Sequence, residues 1–234
     1  MLSHGMGKAM GITKTDFVRG MQCPKMLWLD HHKPEQKEIP PEVQDRLNRG
    51  NDYGDSLMGM FGPYTEVQEY YPGTKHPDKV RMAAKTRELL AAGTKIICEA
   101  AFMDGNGNYC AVDILRWDDA GNCYDMYEVK DAVQLSDRFV QDAAFQAYLI
   151  RRMGLRLGRV FIVYHGDEPY DIEEVTKTVE KYAAWVDENI GRLGQIKDQD
   201  EEYRCETGVH CACPYECWYF GYCRELARKE NRLP

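Results

Sequence analysis

The sequence predicts an α/β fold with a mixed central sheet, an antiparallel meander plus a parallel crossover strand, flanked by helices. Residues 95–130 contain three strand-like stretches separated by the turn sequences DGNGN at 104–108 and DDAGN at 118–122. Gly/Asn turns between such stretches indicate antiparallel hairpins. A helical stretch and a second apolar run at 160–164 follow. This strand, helix, strand order implies a crossover to a parallel strand.

Three helical segments are predicted before the meander. Thr15 is the expected N-cap of the first helix, which bends or restarts at Cys23-Pro24. Apolar residues at helical spacing predict two further helices, at 42–61 and at 77–92.

Two more helices are predicted after the meander. Ser136 is the expected cap of the crossover helix, which ends at Met153 because Gly154 follows. A further helix is predicted at 175–190.

Length and composition predict one domain spanning residues 1–234. The chain has 234 residues, of which 44% are hydrophobic and 29% charged, as in globular proteins with one sizeable core. Within this domain we expect an N-terminal helix with Cys23 at 1–30, a sheet and crossover helix at 93–165, and a cysteine-rich segment at 201–234. No apolar run is long enough for a membrane span or a secretory signal, so we expect a cytoplasmic protein.

Three acidic residues fall on the three consecutive strands of the meander. If the hairpins are centred on their turns, Glu99 lies opposite Asp113 and Asp113 lies opposite Glu128. Like charges on directly opposed residues are destabilising. Lys130 shares the face of Glu128 and supplies one positive charge, and a divalent cation would supply the rest. The pattern indicates a metal site; the alternative is a solvated strand face with an ordinary Glu–Lys contact.

Nine cysteines also indicate a metal, because disulfides are rare in the cytosol. Five of them lie between Cys205 and Cys223, and Cys23 stands apart near the N-terminus. The remaining three fall in the predicted strands, where we expect them to serve as small apolar residues: Cys98, Cys110 and Cys123.

On the crossover helix, Gln141, Phe145 and Tyr148 share one face, which we predict to face the acidic row. Gln146 is turned by about 140° from Gln141 and is predicted to point elsewhere. Core packing is the simpler role for Phe145 and Tyr148.

The sequence contains, in order, an acid, a second acid, Glu-x-Lys and a helical glutamine. This ordered set resembles the PD-(D/E)XK nucleases. It resembles in particular their RecB-type exonucleases with an iron-sulfur cluster, which include the CRISPR-associated branch. The matching stretches are VDI at 112–114, EVK at 128–130 and QDAAF at 141–145, together with TDFV at 15–18, MQCPK at 21–25 and HCACPYEC at 210–217. The resemblance implies a restriction-endonuclease-like fold.

The resemblance also implies roles for the acidic row. Asp113 and Glu128 would bind Mg²⁺ or Mn²⁺, and Glu99 would be a further ligand or orient the attacking water. Lys130 would stabilise the nucleophile and the charge developing on the phosphate, and Gln141 would position substrate or water. The implied activity is a Mg/Mn-dependent DNA exonuclease acting in DNA repair or CRISPR spacer acquisition, with single-stranded or frayed ends as substrate. The alternative is a DNA-end-binding or adaptor protein with little or no cleavage.

In the same family, one N-terminal cysteine and three C-terminal cysteines hold a [4Fe-4S] cluster. The resemblance assigns Cys23, Cys211, Cys217 and Cys223, with Cys205 and Cys213 as competitors. Structural zinc on Cys211, Cys213, Cys217 and Cys223 is the alternative.

One feature departs from the family pattern. Related CRISPR-associated nucleases carry a metal-binding histidine in the helix before the meander, but GNDYG at 50–54 has none. His76 and His165 are candidate substitutes, although each is more often an ordinary histidine.

Overall fold

A computed structural model describes residues 11–166 and 169–230. The helices are α1 (Lys14–Gln22), α2 (Pro24–His32), α3 (Pro41–Leu57), α4 (Lys79–Ala91), α5 (Asp137–Arg152), α6 (Thr176–Lys181), α7 (Ala183–Asp198) and α8 (Phe220–Lys229). The strands are β1 (Thr65–Glu66), β2 (Ile96–Met103), β3 (Tyr109–Asp118), β4 (Cys123–Lys130), β5 (Leu157–Tyr164) and β6 (Asp171–Glu174). Within the described ranges, no helix combines the length and apolar character needed to cross a membrane.

The six strands form one mixed sheet in the order β1-β2-β3-β4-β5-β6. Strands β2, β3 and β4 are the antiparallel meander, and β5 pairs parallel to β4 after the crossover through α5. The predicted fold class is therefore confirmed. Two short outer strands were not predicted: β1 pairs parallel to β2, and β6 pairs antiparallel to β5.

The hairpin registers are those that the turn sequences predict. Cys98 pairs with Ile114 and Ala100 pairs with Val112, so Glu99 lies opposite Asp113. The ladder between β3 and β4 ends at the pair Ile114–Tyr127, and the next positions along it are Asp113 and Glu128. The three acidic residues therefore occupy neighbouring positions across three strands.

Hydrophobic packing lies on both faces of the sheet. The larger core contains Phe17 of α1, Leu115 and Met126 of the sheet, Phe145 of α5 and Leu193 of α7. A smaller cluster covers the other face, where Leu57 and Met58 at the end of α3 join sheet residues. Cys98, Cys110 and Cys123 are buried in their strands, as expected of small apolar residues.

Helix α1 begins two residues earlier than the sequence predicts. Thr13, not Thr15, is the N-cap: its side chain accepts a hydrogen bond from the backbone N–H of Asp16, and the Asp16 side chain accepts one from the N–H of Thr13. This reciprocal capping box satisfies two backbone donors that the helix leaves free. Prediction of Thr15 as the cap was wrong because Asp16 lies at the third helical position only when the helix starts at Lys14.

The residues before α1 are fixed to the start of β3. The N–H of Ile12 donates to the side chain of Asn108 over 2.8 Å, and the N–H of Tyr109 donates to the carbonyl of Ile12 over 3.0 Å. Gly11 lies so close to the first turn of the meander that an added Cβ would be 1.9 Å from the carbonyl carbon of Gly107. These contacts place the first turn of α1, and with it Lys14, beside the ends of the central strands.

The other helix boundaries agree with the sequence to within two residues, with two exceptions. Helix α3 ends at Leu57 and not at residue 61 as predicted, and the segment after β6 also differs. Helix α2 restarts at Pro24, and Ser136 precedes α5, both as predicted. The single helix predicted at 175–190 is instead two helices that meet at Tyr182, and the second continues to Asp198.

Replacement of Thr13 by alanine is expected to lower the free energy of unfolding by about 1 kcal/mol, because the N-cap hydrogen bond is lost. Thr15 is an exposed residue of the same helix, so Thr15→Ala is the matched control and should change stability by less than about 0.5 kcal/mol. Urea unfolding followed by circular dichroism measures both values. Equal losses in the two variants would contradict the assignment of the cap.

Candidate active site

The acidic row lies at the base of a large cleft. The cleft has a volume of about 760 Å³ and is lined by Glu99, Asp113, Glu128 and Lys130. Residues of α1, α3 and the cysteine-rich segment also contribute to its walls. Its volume is within the range of small-ligand sites in proteins. The sequence-predicted row is thus brought together in one concave site.

Glu128 is a buried carboxylate held by three donors. Its side chain is only 1% exposed. Its Oε1 atom accepts from Lys130 Nζ at 2.6 Å and from Lys14 Nζ at 3.0 Å, and its Oε2 atom accepts from Gln146 Nε2 at 2.7 Å. Burial by itself would raise the pKa of Glu128, but the two lysines and Gln146 outweigh burial and lower it. Glu128 is therefore ionised in the folded protein.

Lys130 connects the sheet to the crossover helix. Its ammonium group contacts Asp142 of α5 as well as Glu128 and lies 5.7 Å from the centre of the Phe139 ring. Burial would lower the pKa of Lys130, but Asp142 and Glu128 raise it. The lysine therefore keeps its positive charge beside the acidic row.

Asp113 replaces a backbone partner where the β3–β4 ladder ends. Its Oδ2 atom accepts a hydrogen bond from the N–H of Val129 over 2.6 Å. Among the described residues its Oδ1 atom receives no hydrogen bond. Burial raises the pKa of Asp113, and the neighbouring Glu128 carboxylate raises it further. One oxygen thus remains free to bind a ligand in the cleft.

Glu99 has a strained backbone in the middle of β2. Its φ angle is +53°, a conformation that costs a non-glycine residue about 1–3 kcal/mol. Burial and then the Asp113 carboxylate raise the pKa of Glu99 to about 7. Within the described part of the chain, no hydrogen bond or ion pair reaches its carboxylate. Strained backbone conformations are concentrated at functional sites.

The prediction for the face of α5 was wrong. Gln146, which was predicted to point away from the acidic row, is fully buried and contacts Glu128. Gln141 is partly exposed and, among described residues, makes no hydrogen bond to the acidic row. Phe145 packs in the core at 4.9 Å from Phe17 between ring centres, and the Tyr148 hydroxyl contacts Asp187 near the surface.

Three residues of the site were missed by the sequence analysis: Lys14, Asp142 and Gln146. Charge balance gave an indirect signal, since three carboxylates with one lysine require further positive charge. Lys14 supplies part of it, and Glu128 and the other carboxylates raise its pKa against the opposing effect of burial. Only the tertiary structure brings the first turn of α1 to the end of β4.

The two histidines named as substitutes lie outside the row. His165 forms a 2.6 Å contact with Asp131 and stacks on Tyr53 at 3.9 Å between ring centres. His76 is exposed in the loop before α4. Gly50 and Gly54 of α3 line the cleft without side-chain ligands.

A second cluster of candidate ligands surrounds a small cavity between α2 and the C-terminal segment. Five cysteines and a histidine line it: Cys23, Cys205, Cys211, Cys217, Cys223 and His210. Candidate ligand atoms of Cys23, Cys205 and His210 all lie within 4.8 Å of one another. Cys213 is exposed and does not line this cavity.

The donor set fits a thiolate-bound metal or iron-sulfur group. Burial raises the pKa of Cys23 to about 12 and that of Cys223 to about 11, so these thiols would remain protonated unless a metal displaced the protons. All four cysteines of the predicted cluster set line the cavity, as does Cys205. The alternative zinc set includes Cys213, which is exposed and lies outside this cavity, so its four cysteines do not line one site.

Comparisons with known proteins add little to this picture. No protein-family model matches the chain, and no curated protein matches it. The chain is similar to the crystal structure of SSO0001, with a TM-score of 0.42 and 13% identity over 86% of this chain and 82% of that one. Similarity at this level carries no argument about function.

Manganese is expected to stabilise the protein more at about pH 8 than at about pH 6. In the metal-free protein, the raised pKa values of Glu99 and Asp113 make the free energy of unfolding fall as the pH rises from about 4 to above 7. A cation would relieve this repulsion at high pH but would have to displace protons at low pH. Differential scanning fluorimetry with Mn²⁺ measures the shift in Tm. Glu99→Gln should reduce the difference between the two pH values, and an equal shift at both in the unmodified protein would contradict this account.

Replacement of Gln146 by leucine is expected to destabilise the protein by about 1–3 kcal/mol, because a buried carboxylate loses a hydrogen bond. Gln141→Leu, five residues earlier in the same helix, is the control and should have a small effect. Chemical denaturation distinguishes them. A larger loss for Gln141→Leu would restore the face predicted from sequence.

Proposed function

We propose that this protein is a metal-dependent DNA exonuclease that hydrolyses phosphodiester bonds with Mg²⁺ or Mn²⁺. The observation that carries the proposal is the row of Glu99, Asp113 and Glu128 beside Lys130 at the base of one cleft. The resemblance to the RecB-type PD-(D/E)XK nucleases supports the same activity. It also suggests a cytoplasmic role in DNA repair or CRISPR spacer acquisition, with the proteins of those processes as partners.

The donor chemistry of the row fits a hard divalent cation. Carboxylate oxygens are the ligands that Mg²⁺ and Mn²⁺ prefer. Glu99 and Asp113 have oxygens without a hydrogen-bond donor among the described residues, whereas both oxygens of Glu128 are already bonded. Glu99 and Asp113 would therefore hold the ion first, and Glu128 would join when a lysine moves away. When bound, the ion activates water and neutralises charge on the phosphate.

The remaining residues of the site prepare it for an anionic substrate. Lys130 presents a fixed positive charge that stabilises negative charge developing on a phosphate. Asp142 and Glu128 orient its ammonium group. Gln146 fixes the Glu128 carboxylate. Positioning of substrate or water by Gln141 remains what the family resemblance implies.

We also propose that Cys23, Cys211, Cys217 and Cys223 hold a [4Fe-4S] cluster, with Cys205 as the competing ligand. Four thiolates are the set that such a cluster requires, and these side chains come from both ends of the chain. The cluster would join the start of α2 to the C-terminal segment that forms one wall of the cleft.

A second candidate function is a DNA-end-binding adaptor that cuts slowly or not at all. One observation favours it: Lys14 and Lys130 donate to one oxygen of Glu128 and Gln146 donates to the other, so neither oxygen is left without a partner. A site neutralised by its own lysines could bind phosphate without hydrolysing it.

Replacement of Asp113 by asparagine or of Lys130 by alanine is expected to lower the cleavage rate at least about a hundredfold while the fold is retained. End-labelled single-stranded DNA with Mn²⁺ or EDTA measures the rate, and circular dichroism checks the fold. Asp119→Asn changes an exposed carboxylate in a distant turn and is the control. Metal-independent cleavage, or full activity in both site variants, would contradict the nuclease assignment. DNA binding without any cleavage would favour the adaptor.

Anaerobically purified protein is expected to be coloured, with broad absorption near about 400 nm and bound iron and sulfide. Cys217→Ser should abolish the absorption because Cys217 is buried in the cavity, whereas Cys213→Ser should retain it because Cys213 lies outside. Colourless protein with stoichiometric zinc would overturn the cluster, and the variant Cys205→Ser tests the competing ligand.

A further inference from the structure

We infer that Tyr215, with Arg46 and Arg138, forms a subsite for the sugar-phosphate backbone and bases of single-stranded DNA at the mouth of the cleft. This inference rests on the proposed nuclease function and assigns residues that recognise its substrate. It uses none of the acidic-row residues.

Three separate parts of the chain meet at this subsite. The guanidinium carbon of Arg138, in the first turn of α5, lies 3.7 Å from the centre of the Tyr215 ring. The guanidinium carbon of Arg46, from α3, lies 5.4 Å from the same centre. Such distances are those of cation–π contacts. The tyrosine therefore gathers two positive charges from two helices.

Both arginines are available to an anion. Among residues 11–166 and 169–230, neither Arg46 nor Arg138 forms an ion pair with a carboxylate. Other arginines do so: Arg19 pairs with Asp30 and Arg159 with Asp125. A guanidinium group without a carboxylate partner is well suited to bind phosphate.

The subsite leads directly to the acidic row. Phe139, the residue after Arg138, lines the cleft and contacts Lys130. Arg46 and Tyr215 also line the cleft, and Tyr215 is 42% exposed. A strand bound on Tyr215 would reach Lys130 along the first turn of α5.

Carboxylates also line the cleft away from the subsite. They include Glu66 of β1 and Glu69 of the following loop, and Glu69 pairs with Arg81. The two arginines beside Tyr215, which lack carboxylate partners among the described residues, are therefore the better place for a phosphate.

The chemistry of the subsite favours a single strand. Proteins that bind single-stranded DNA combine positive grooves with exposed aromatic rings on which bases stack. Tyr215 is an exposed ring of this kind, and Arg46 and Arg138 supply positive charge beside it. The bases of a duplex are already stacked on one another, so an unpaired strand is the substrate that such a ring can recognise.

The subsite is fixed to the catalytic side of the protein through backbone contacts. Gln22, the last residue of α1, donates from its side-chain amide to the carbonyls of Tyr215 and His210, at 2.6 and 2.9 Å. The cysteine-rich segment thus positions Tyr215 against the same helix that brings Lys14 to Glu128.

The test is binding of a fluorescently labelled single-stranded oligonucleotide in EDTA, measured by anisotropy over a range of salt concentrations. The double variant Arg46→Ala/Arg138→Ala should bind the oligonucleotide at least about tenfold more weakly than the unmodified protein. The slope of log Kd against log salt concentration should fall by about 1.4, which is about 0.7 for each of the two lost phosphate contacts. Tyr215→Leu should weaken binding to a similar extent because a stacking surface is lost. Arg87→Ala removes an exposed charge from α4, outside the cleft, and should leave affinity within about twofold.

The subsite would be overturned if the folded double variant kept the affinity and salt slope of the unmodified protein, or lost no more affinity than Arg87→Ala. Tighter binding of a blunt duplex than of the single strand would also overturn it. A separate Mn²⁺ cleavage assay keeps the two proposals apart. If the protein cuts DNA but the variants bind normally, only the subsite fails. If the variants lose binding but the unmodified protein never cuts, the subsite is supported and the nuclease activity fails.

Discussion

Repulsion among Glu99, Asp113 and Glu128 is the constraint around which the site is organised. Opposed like charges destabilise a sheet, and a buried carboxylate without a partner costs several kcal/mol. Lys130 and Lys14 offset this at Glu128. Because these lysines come from different elements, the charge balance connects α1, β4 and the crossover helix. Among the described residues, Glu99 and Asp113 form no ion pair with a lysine, and burial together with the neighbouring carboxylates raises the pKa values of both.

Strain and chain topology maintain this arrangement. The left-handed backbone at Glu99 persists because paired residues continue the ladder on both sides of it. The cap at Thr13 and the contacts of Ile12 with β3 fix the position of Lys14. Next to the cleft, the cysteine cavity joins α2 to the C-terminal segment, which then forms part of the cleft wall. Both chain ends therefore shape one site.

The meander and its registers could be predicted because turn sequences act locally: glycine and asparagine fix where each hairpin reverses. The edge strands β1 and β6 lack an apolar pattern, since β1 has two residues and β6 is exposed along its length. The choice between Gln141 and Gln146 depends on how α5 is rotated about its axis. Packing of Phe145 against Phe17 settles that rotation, and helical spacing alone cannot.

A divalent cation at the acidic row is tested most directly by a crystal structure of the protein soaked with Mn²⁺, with anomalous scattering recorded at the manganese edge. We expect an anomalous peak between Glu99 and Asp113, at about 2.0–2.2 Å from their carboxylate oxygens. If Glu128 also binds the ion, the Lys130 ammonium should be displaced. An acidic row that remains without a peak at saturating manganese, while both lysines stay on Glu128, would contradict this expectation.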